Sequence, residues 1–170
     1  MNFHQVQMGS LPSVLKIFRR AKSELKNQKN DQWKWIYPNR SNYKADLRNG
    51  SMYGISYGDE LIAVVTLDNM QSKQYQLISW NDKDGKPCCI HRLAVDPSHQ
   101  GKGLGKALLQ YIENFAIRNG YTSVRIDVYK INETAKALYI RNGYEERGEV
   151  RYPMRKHTYV TMEKQLCKLS

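Results

Sequence analysis

The stretch 90–107, IHRLAVDPSHQGKGLGKA, constrains the fold of this chain more than any other part of the sequence. Its apolar first part, which ends at Val95, predicts a buried strand, and the Asp96-Pro97 pair predicts the end of that strand. An amphipathic helix pattern begins only a few residues later. The short connection holds three residues that allow unusual backbone angles and close approach, namely Gly101, Gly103 and Gly105.

A strand, a glycine turn and a helix N-terminus in direct succession are typical of an anion site. The first N–H groups of a helix have no partner within the helix, and the helix dipole adds positive potential there. Lys102 and Lys106 add full charges, so a polyphosphate is the natural ligand. Two familiar phosphate loops are excluded: a Walker loop needs glycine and Ser/Thr where Gln100 and Ala107 stand, and a dinucleotide fingerprint needs glycine at Lys106.

The run Gln100-Gly101-Lys102-Gly103-Leu104-Gly105 resembles the Q/R-x-x-G-x-G/A signature of the GNAT superfamily of acyl-CoA N-acyltransferases. A second pattern follows at the distance that this family shows, Asn132-x-x-Ala135-x-x-x-Tyr139-x-x-x-Gly143-Tyr144. One position departs from the commoner form, because arginine is more frequent than Gln100 at the start of the signature. The resemblance covers nearly the whole chain and implies an N-acetyltransferase that moves the acetyl group of acetyl-CoA to a primary amine.

The resemblance also implies how acetyl-CoA would bind. Its pantetheine arm would pair with the strand edge at Leu93, Ala94 and Val95, splayed open from the next parallel strand. The N–H groups of Leu93 and Val95, two residues apart, face the same edge and would hold the oxyanion formed when the amine attacks. The pyrophosphate would lie on the turn, which consists of Gln100, Gly101, Lys102, Gly103, Leu104, Gly105 and Lys106.

Two catalytic side chains are expected. By resemblance, Tyr139 is the general acid that protonates the CoA thiolate, and the alternative is an aromatic core residue. His91 is the leading candidate for the base that deprotonates the amine; a structural histidine, or proton loss to water, remains open. Asn132 is expected to bond the pantetheine amide, to cap its helix, or both.

Length and composition predict one domain over residues 1–170, because 170 residues with 41% hydrophobic content suffice for one core. Without a long apolar run or a signal-like start, a cytoplasmic protein without a membrane partner is expected. Cys88, Cys89 and Cys167 show no ligand-like spacing with histidines, so no metal is predicted. A homodimer stays open.

The net charge of +11 supports one competing hypothesis. The chain could be a basic nucleic-acid-binding or regulatory module that keeps the fold without catalysis. The positive residues are scattered rather than gathered into one tract, however, which favours a solvated surface and makes a nucleic-acid partner unlikely.

The predicted fold class is α/β, with the GNAT fold: a mixed sheet of six or seven strands flanked by about four helices. Strands are predicted at 2–7, 52–57, 61–67, 87–95, 124–128, 144–151 and 158–166, and helices at about 10–25, 41–49, 103–116 and 132–143. The polar stretch 68–86 is expected to be a functional or mobile loop. The aromatic segment with Trp33, Trp35, Ile36 and Tyr37 resembles the family's acceptor side, or else seals a helix on the sheet.

Overall fold

The computed structural model describes residues 1–33 and 37–167. Within them, seven strands and four α-helices follow in the predicted order. They are β1 Asn2–Gln5, α1 Leu11–Asn27, α2 Arg40–Arg48, β2 Met52–Tyr57, β3 Glu60–Asp68, β4 Pro87–Val95, α3 Leu104–Arg118, β5 Ser123–Tyr129, α4 Glu133–Arg141, β6 Glu145–Val150 and β7 Tyr159–Gln165.

The strands form one sheet in the order β1-β2-β3-β4-β5-β7-β6. The pairs β1/β2, β2/β3, β5/β7 and β6/β7 are antiparallel. The pair β4/β5 is parallel, and its register covers the first three residues of each strand, Pro87–Cys89 and Ser123–Arg125. The predicted mixed sheet of six or seven strands with about four helices is confirmed, and the described residues form seven strands and four α-helices. Predicted boundaries differ by a few residues; β1, for example, ends at Gln5 rather than Gln7, because a 3₁₀ turn begins at Met8.

Two compact units share these elements. The first consists of Met1–Leu67 and His91–Tyr111, and the second of Asp68–Ile90 and the described residues from Ile112 onward. β4 and α3 each run from one unit into the other. That the whole chain forms a single domain stays a prediction.

The first unit is built around the apolar face of α1. Its buried side chains recur at helical spacing and include Val14, Ile17, Phe18 and Ala21. The Phe18 ring stacks on Tyr43 of α2 at a centroid distance of 4.3 Å. These side chains share one core cluster with Ala94 of β4, so the α1–α2 pair supports the strand that carries the glycine turn.

The second unit draws part of its core from the stretch 68–86. That stretch contains a 3₁₀ turn, Lys73–Leu77, and it buries Tyr75 and Trp80 against Cys89. The Arg125 guanidinium lies 4.4 Å from the Trp80 ring centroid. Tyr75 and Trp80 therefore have a packing role, and their aromatic character was the only sequence signal for it.

Candidate active site

The second half of β4 presents two backbone donors on one edge. The Asp96 N–H donates to the Ile62 carbonyl of β3 at 2.8 Å. Because N–H groups alternate between the two edges of a strand, those of Val95 and Leu93 face the edge away from Ile62. Both side chains are only partly buried, whereas Ala94 between them is buried in the core. The role of these two N–H groups toward a ligand stays a prediction.

Arg92, just before these donors, has a left-handed backbone with φ of +50°. A residue with a side chain adopts this conformation at a cost, and it interrupts the regular pleat of the strand. The guanidinium is held by Asp46 of α2 through two hydrogen bonds, Nε to Oδ2 at 2.8 Å and Nη2 to Oδ1 at 2.6 Å. Nη1 donates to the Tyr37 hydroxyl at 2.7 Å. Sequence reasoning missed this cluster, since nothing local marks Arg92 as exceptional.

The Arg92–Asp46 pair is largely buried, with 11% of the arginine side chain and 7% of the aspartate side chain exposed. Thr66 of β3 also donates to Asp46 Oδ2, at 2.9 Å. The carboxylate therefore joins α2, β3 and β4 at one point. Such a bidentate pair fixes orientation as well as charge, so it determines the backbone direction with which the chain enters Leu93–Val95.

The turn after β4 has the backbone that its glycines predict. Gly101 and Gly103 have φ of +76° and +75°, and a Cβ built on either one would meet no heavy atom within 4 Å. Gly105 differs, because it lies within the first turn of α3. Lys102 and Lys106 are exposed. The turn is therefore open toward a ligand and carries two cations.

Asp96 anchors the start of this turn. Its Oδ1 accepts from the Ser98 N–H at 3.0 Å and hydroxyl at 2.6 Å, and its Oδ2 accepts from Arg20 of α1 at 3.0 Å. Burial would raise the pKa of Asp96, but the hydrogen bonds from Ser98 and the charge of Arg20 outweigh it and lower the pKa. The Gln100 side chain adds a long contact of 3.4 Å to the Val95 carbonyl.

α3 begins at Leu104, which is buried, and its first N–H groups point back toward the turn. The first α-helical bond here runs from the Ala107 N–H to the Gly103 carbonyl at 3.0 Å. The strand edge, the turn and the helix start lie in the first compact unit together with His91. His91 is partly buried, and its role as a base stays a prediction.

α4, in the second unit, carries the other two predicted residues. The Asn132 side chain accepts from the Ala135 N–H at 3.1 Å, so its capping role is confirmed. The Tyr139 ring is 4% exposed and makes a T-shaped contact with Tyr144 at 5.5 Å. Burial, and then the charge of Asp127, raise the pKa of Tyr139 above its usual value. Tyr139 is therefore protonated at neutral pH, as a general acid must be.

Asp127 of β5 is a further polar centre in the second unit that the sequence did not reveal. Its Oδ2 accepts from the hydroxyls of Tyr152, at 2.6 Å, and Tyr75, at 3.0 Å. The Tyr152 hydroxyl also contacts Ser72 at 3.0 Å. These donors come from two segments far from β5 in the sequence, so no local pattern reveals them. The alternation of β5 indicated only that Asp127 faces away from Ile126 and Val128.

The remaining predictions concern the aromatic segment, metal binding and membrane-spanning helices. Trp33 is partly buried and packs at 5.4 Å from the Phe18 ring centroid. Trp35 and Ile36 lie outside the described residues. Among residues 1–33 and 37–167, no group of three His, Cys, Asp or Glu side chains is placed to hold a metal ion. None of the helices in the described part of the chain combines the length and apolarity that a membrane crossing requires.

Comparison with known proteins identifies the family of this chain. The model of the acetyltransferase (GNAT) family matches residues 11–144. YesJ of Bacillus subtilis strain 168, described as an uncharacterized N-acetyltransferase, is 25% identical over 138 residues, which cover 80% of this chain and 77% of that protein.

Two solved structures show the same fold. A GNAT-family acetyltransferase from Streptococcus agalactiae 2603 superposes with a TM-score of 0.84 at 20% identity, over 96% of this chain and 94% of that one. The PaiA N-acetyltransferase of Thermoplasma acidophilum, solved in complex with coenzyme A, has a TM-score of 0.71 at 17% identity over 96% and 98% of the two chains. Because the family model spans most of the sequence, the chain belongs to the GNAT family of acetyltransferases.

Proposed function

We propose that this chain transfers the acetyl group of acetyl-CoA directly to a primary amine. The observation that carries the proposal is the paired N–H edge at Leu93 and Val95, followed at once by the positive-φ turn of Gly101 and Gly103 and the N-terminus of α3. Family membership supports acyl-CoA as the donor, as does the coenzyme A bound to a relative of the same fold.

The residues present fit such a donor. An extended amide-bearing arm can pair with the open donors of Leu93 and Val95 as an added strand would. The pyrophosphate suits the turn, because its backbone N–H groups and Lys102 and Lys106 provide both geometry and charge. We propose that residues 100–106 hold the phosphates and that Asn132, beyond its capping bond, contacts the pantetheine.

The transfer needs no covalent enzyme intermediate. The acceptor nitrogen attacks the thioester carbonyl carbon, a C–N bond forms, and the oxygen gains negative charge that the Leu93 and Val95 N–H groups would stabilise. The C–S bond then breaks, and the electron pair leaves with sulfur. The ammonium proton goes to a base, for which we propose His91 or water. Burial raises the pKa of Cys88 to about 12, so this thiol is not an activated nucleophile.

Tyr139 is the proposed proton donor to the leaving sulfur. Its raised pKa keeps it protonated, but a tyrosinate is then a stronger base than an alkyl thiolate, since even an unperturbed cysteine thiol has a pKa of only about 8.5. Complete transfer of the proton is therefore uphill. Tyr139 would act mainly by donating a hydrogen bond to the developing thiolate, and its contribution would lie near the lower end of the usual range for general acids.

Calorimetric titration of acetyl-CoA into the full chain tests donor binding. We expect saturable binding in the micromolar range, and its absence at high micromolar concentration would overturn the proposal. Transfer is tested with a panel of amines and detection of the free CoA thiol. Release of thiol only at the rate of hydrolysis, whatever the amine, would remove the transferase assignment while leaving a CoA-binding protein.

The alternative of a basic nucleic-acid-binding or regulatory module rests on the net charge of +11 alone. The family match and the relatives named as N-acetyltransferases give it no support. A cytoplasmic location and a homodimer stay predictions.

A further inference from the structure

A basic pocket lies against the C-terminal half of α1 and the turn that follows it. The cavity has a volume of about 640 Å³ and is lined chiefly by Arg19, Lys22, Lys26, Lys29, Asp31 and Trp33. Among the described residues that line it, four carry a positive charge and one carries a negative charge. The imbalance matters because like charges gathered on one wall repel each other unless an anion lies between them.

The helix itself gathers these cations. Arg19, Lys22 and Lys26 are three and four residues apart, so they lie on one face of α1. α1 ends at Asn27, and Lys29 has a left-handed backbone with φ of +55°. The following Asn30 is buried, and its N–H donates to the Leu25 carbonyl at 2.8 Å. The chain thus folds back on the helix end and returns Lys29 to the same pocket.

The pocket also has fixed walls. Trp33 packs on the buried Phe18 ring, which gives the pocket an apolar wall. The Asn30 side chain accepts from the Gln32 N–H at 3.0 Å and so shapes the turn between them. Lys22 is the least exposed of the cations, and its Nζ donates to the Pro38 carbonyl. This bond fixes the position of the Lys22 ammonium beside the pocket and lowers the entropy cost of ordering it.

Short contacts link this pocket to the donor strand within the first compact unit. Lys22 binds the Pro38 carbonyl, which also accepts from the Tyr43 hydroxyl at 3.1 Å. The adjacent Tyr37 hydroxyl accepts from Arg92 at 2.7 Å, and Arg92 directly precedes Leu93. Two hydrogen bonds and two peptide links therefore connect the pocket to the proposed oxyanion donors. The glycine turn has its own cations for the donor phosphates, which leaves this pocket for another anion.

We propose that this pocket binds the anionic end of the amine acceptor, so that the preferred acceptors are amines that also carry a carboxylate or a phosphate. The inference rests on the proposed acetyl transfer and names the substrate class for it. Lysine and arginine side chains recognise both anions by charge-assisted hydrogen bonds, and Trp33 offers a surface for an apolar or ring-shaped part of the same molecule.

The test compares matched acceptors that differ only in the anion. Leucylglycine against leucylglycinamide tests the carboxylate, and glucosamine 6-phosphate against glucosamine tests the phosphate. We expect kcat/KM to be at least about tenfold higher for the anionic member of one pair or both. Equal values for both pairs would overturn the inference, and the pair that shows the preference identifies the anion.

A variant then locates the preference. Lys26→Ala with Lys29→Ala removes two exposed charges from the pocket, whereas Lys83→Ala with Lys156→Ala removes two exposed charges elsewhere. We expect the first double variant to reduce the anion preference about tenfold and the second to leave it within about twofold. Equal loss in both would mean that only the overall field attracts the acceptor, and would overturn the pocket assignment.

Acetyl-CoA titration into the wild type and both double variants separates the two levels of inference. Unchanged donor affinity with lost anion preference supports the pocket. Donor binding and transfer without any anion preference overturn the pocket and leave the acetyltransferase proposal intact. Failure of donor binding in the wild type overturns the proposed function, and direct titration of glucosamine 6-phosphate and leucylglycine then shows whether the pocket binds an anion for another purpose.

Discussion

Two irregular pieces of backbone bracket the donors at Leu93 and Val95, and they are stabilised in opposite ways. Downstream, Gly101 and Gly103 reach positive φ without steric cost, and a Cβ built on either would meet no heavy atom within 4 Å. Upstream, Arg92 adopts positive φ with a full side chain, and a buried aspartate from α2 holds it. The glycine turn is thus stabilised locally and is open, whereas the Arg92 backbone is stabilised by a buried, long-range contact.

The difference separates two requirements of the site. An open turn lets a ligand approach, and its conformation depends only on its own residues. The direction of the strand edge instead depends on what packs behind it, because Asp46 comes from 46 positions earlier in the chain. Substitutions in the buried Arg92–Asp46 pair should therefore affect folding and catalysis together. Substitutions in the glycine turn should affect ligand binding above all.

The largest effect is expected from Asp46→Ala. It leaves the Arg92 guanidinium buried without its partner, which typically costs about 3–5 kcal/mol in the free energy of unfolding. Glu60→Ala is the matched control, because it breaks the Lys16–Glu60 pair, whose side chains are 51% and 52% exposed. The control should lose less than about 1 kcal/mol. Urea unfolding followed by tryptophan fluorescence measures both values.

Similar losses in the two variants would show that the buried pair does not maintain the Arg92 backbone. A Thr66→Val variant sharpens the result, since Thr66 donates to the same carboxylate without charge. It should cost about 1–2 kcal/mol. A larger loss than that of Asp46→Ala would place the key contact at Thr66 instead.

The next effect concerns the open turn, through Gly103→Leu compared with Gly120→Leu. Both glycines have φ of +75°, and neither has a heavy atom within 4 Å of the added Cβ. Each replacement should therefore cost about 1–2 kcal/mol of stability. Only Gly103→Leu should also weaken acetyl-CoA binding, by about 100-fold, because two charge-assisted contacts of about 1.5 kcal/mol each are lost. Calorimetry at a temperature where both variants are folded gives the comparison.

Equal donor affinity of the two leucine variants would contradict the assignment of the turn as a phosphate site. Weakened binding in both would trace the loss to general destabilisation instead. The two glycines thus separate strain from contact, which a single variant at Gly103 does not achieve.

Much of this arrangement was predictable because its causes are local. The period-two pattern of Val124, Ile126 and Val128, the Asn132 cap and the glycine spacing all act within a few residues of where they are read. The number of strands and helices followed from such signals. The family resemblance supplied the roles of Tyr139 and of the 93–95 edge, which no periodicity contains.

The remainder could not be predicted because it depends on pairing across the chain. Arg92 has no local reason to adopt positive φ, and its partner Asp46 lies on a helix whose pattern indicates only its apolar face. The donors to Asp127 come from Tyr75 and Tyr152, in segments without regular periodicity. The basic pocket combines cations on one face of α1 with the fold-back at Lys29, and the sequence analysis interpreted these cations as part of a scattered, solvated set.

Tyr139→Phe should have a smaller effect than the turn variant and act on a different constant. We expect kcat to fall roughly 10- to 100-fold with acetyl-CoA affinity nearly unchanged, because the thiolate already leaves readily. The control is Tyr144→Phe, which removes a buried hydroxyl beside the Glu113 carboxylate from a ring 5.5 Å away from that of Tyr139. The control should keep kcat within about twofold. A wild-type rate for Tyr139→Phe would make Tyr139 a core aromatic.

The smallest effect is expected in the pH dependence of kcat. Burial and Asp127 raise the pKa of Tyr139 above its usual value near 10, so ionisation of Tyr139 begins only above that value. The protonated form, which the acid role requires, therefore dominates through pH 9, and kcat should not fall by more than about twofold between pH 8 and 9. Stopped assays of thiol release across this range measure it. A fall in kcat with a midpoint below pH 9, absent in Tyr139→Phe, would contradict this prediction. It would show that Tyr139 ionises below its usual pKa, so that its hydroxyl lies in a more polar environment than the contact with Tyr144 provides.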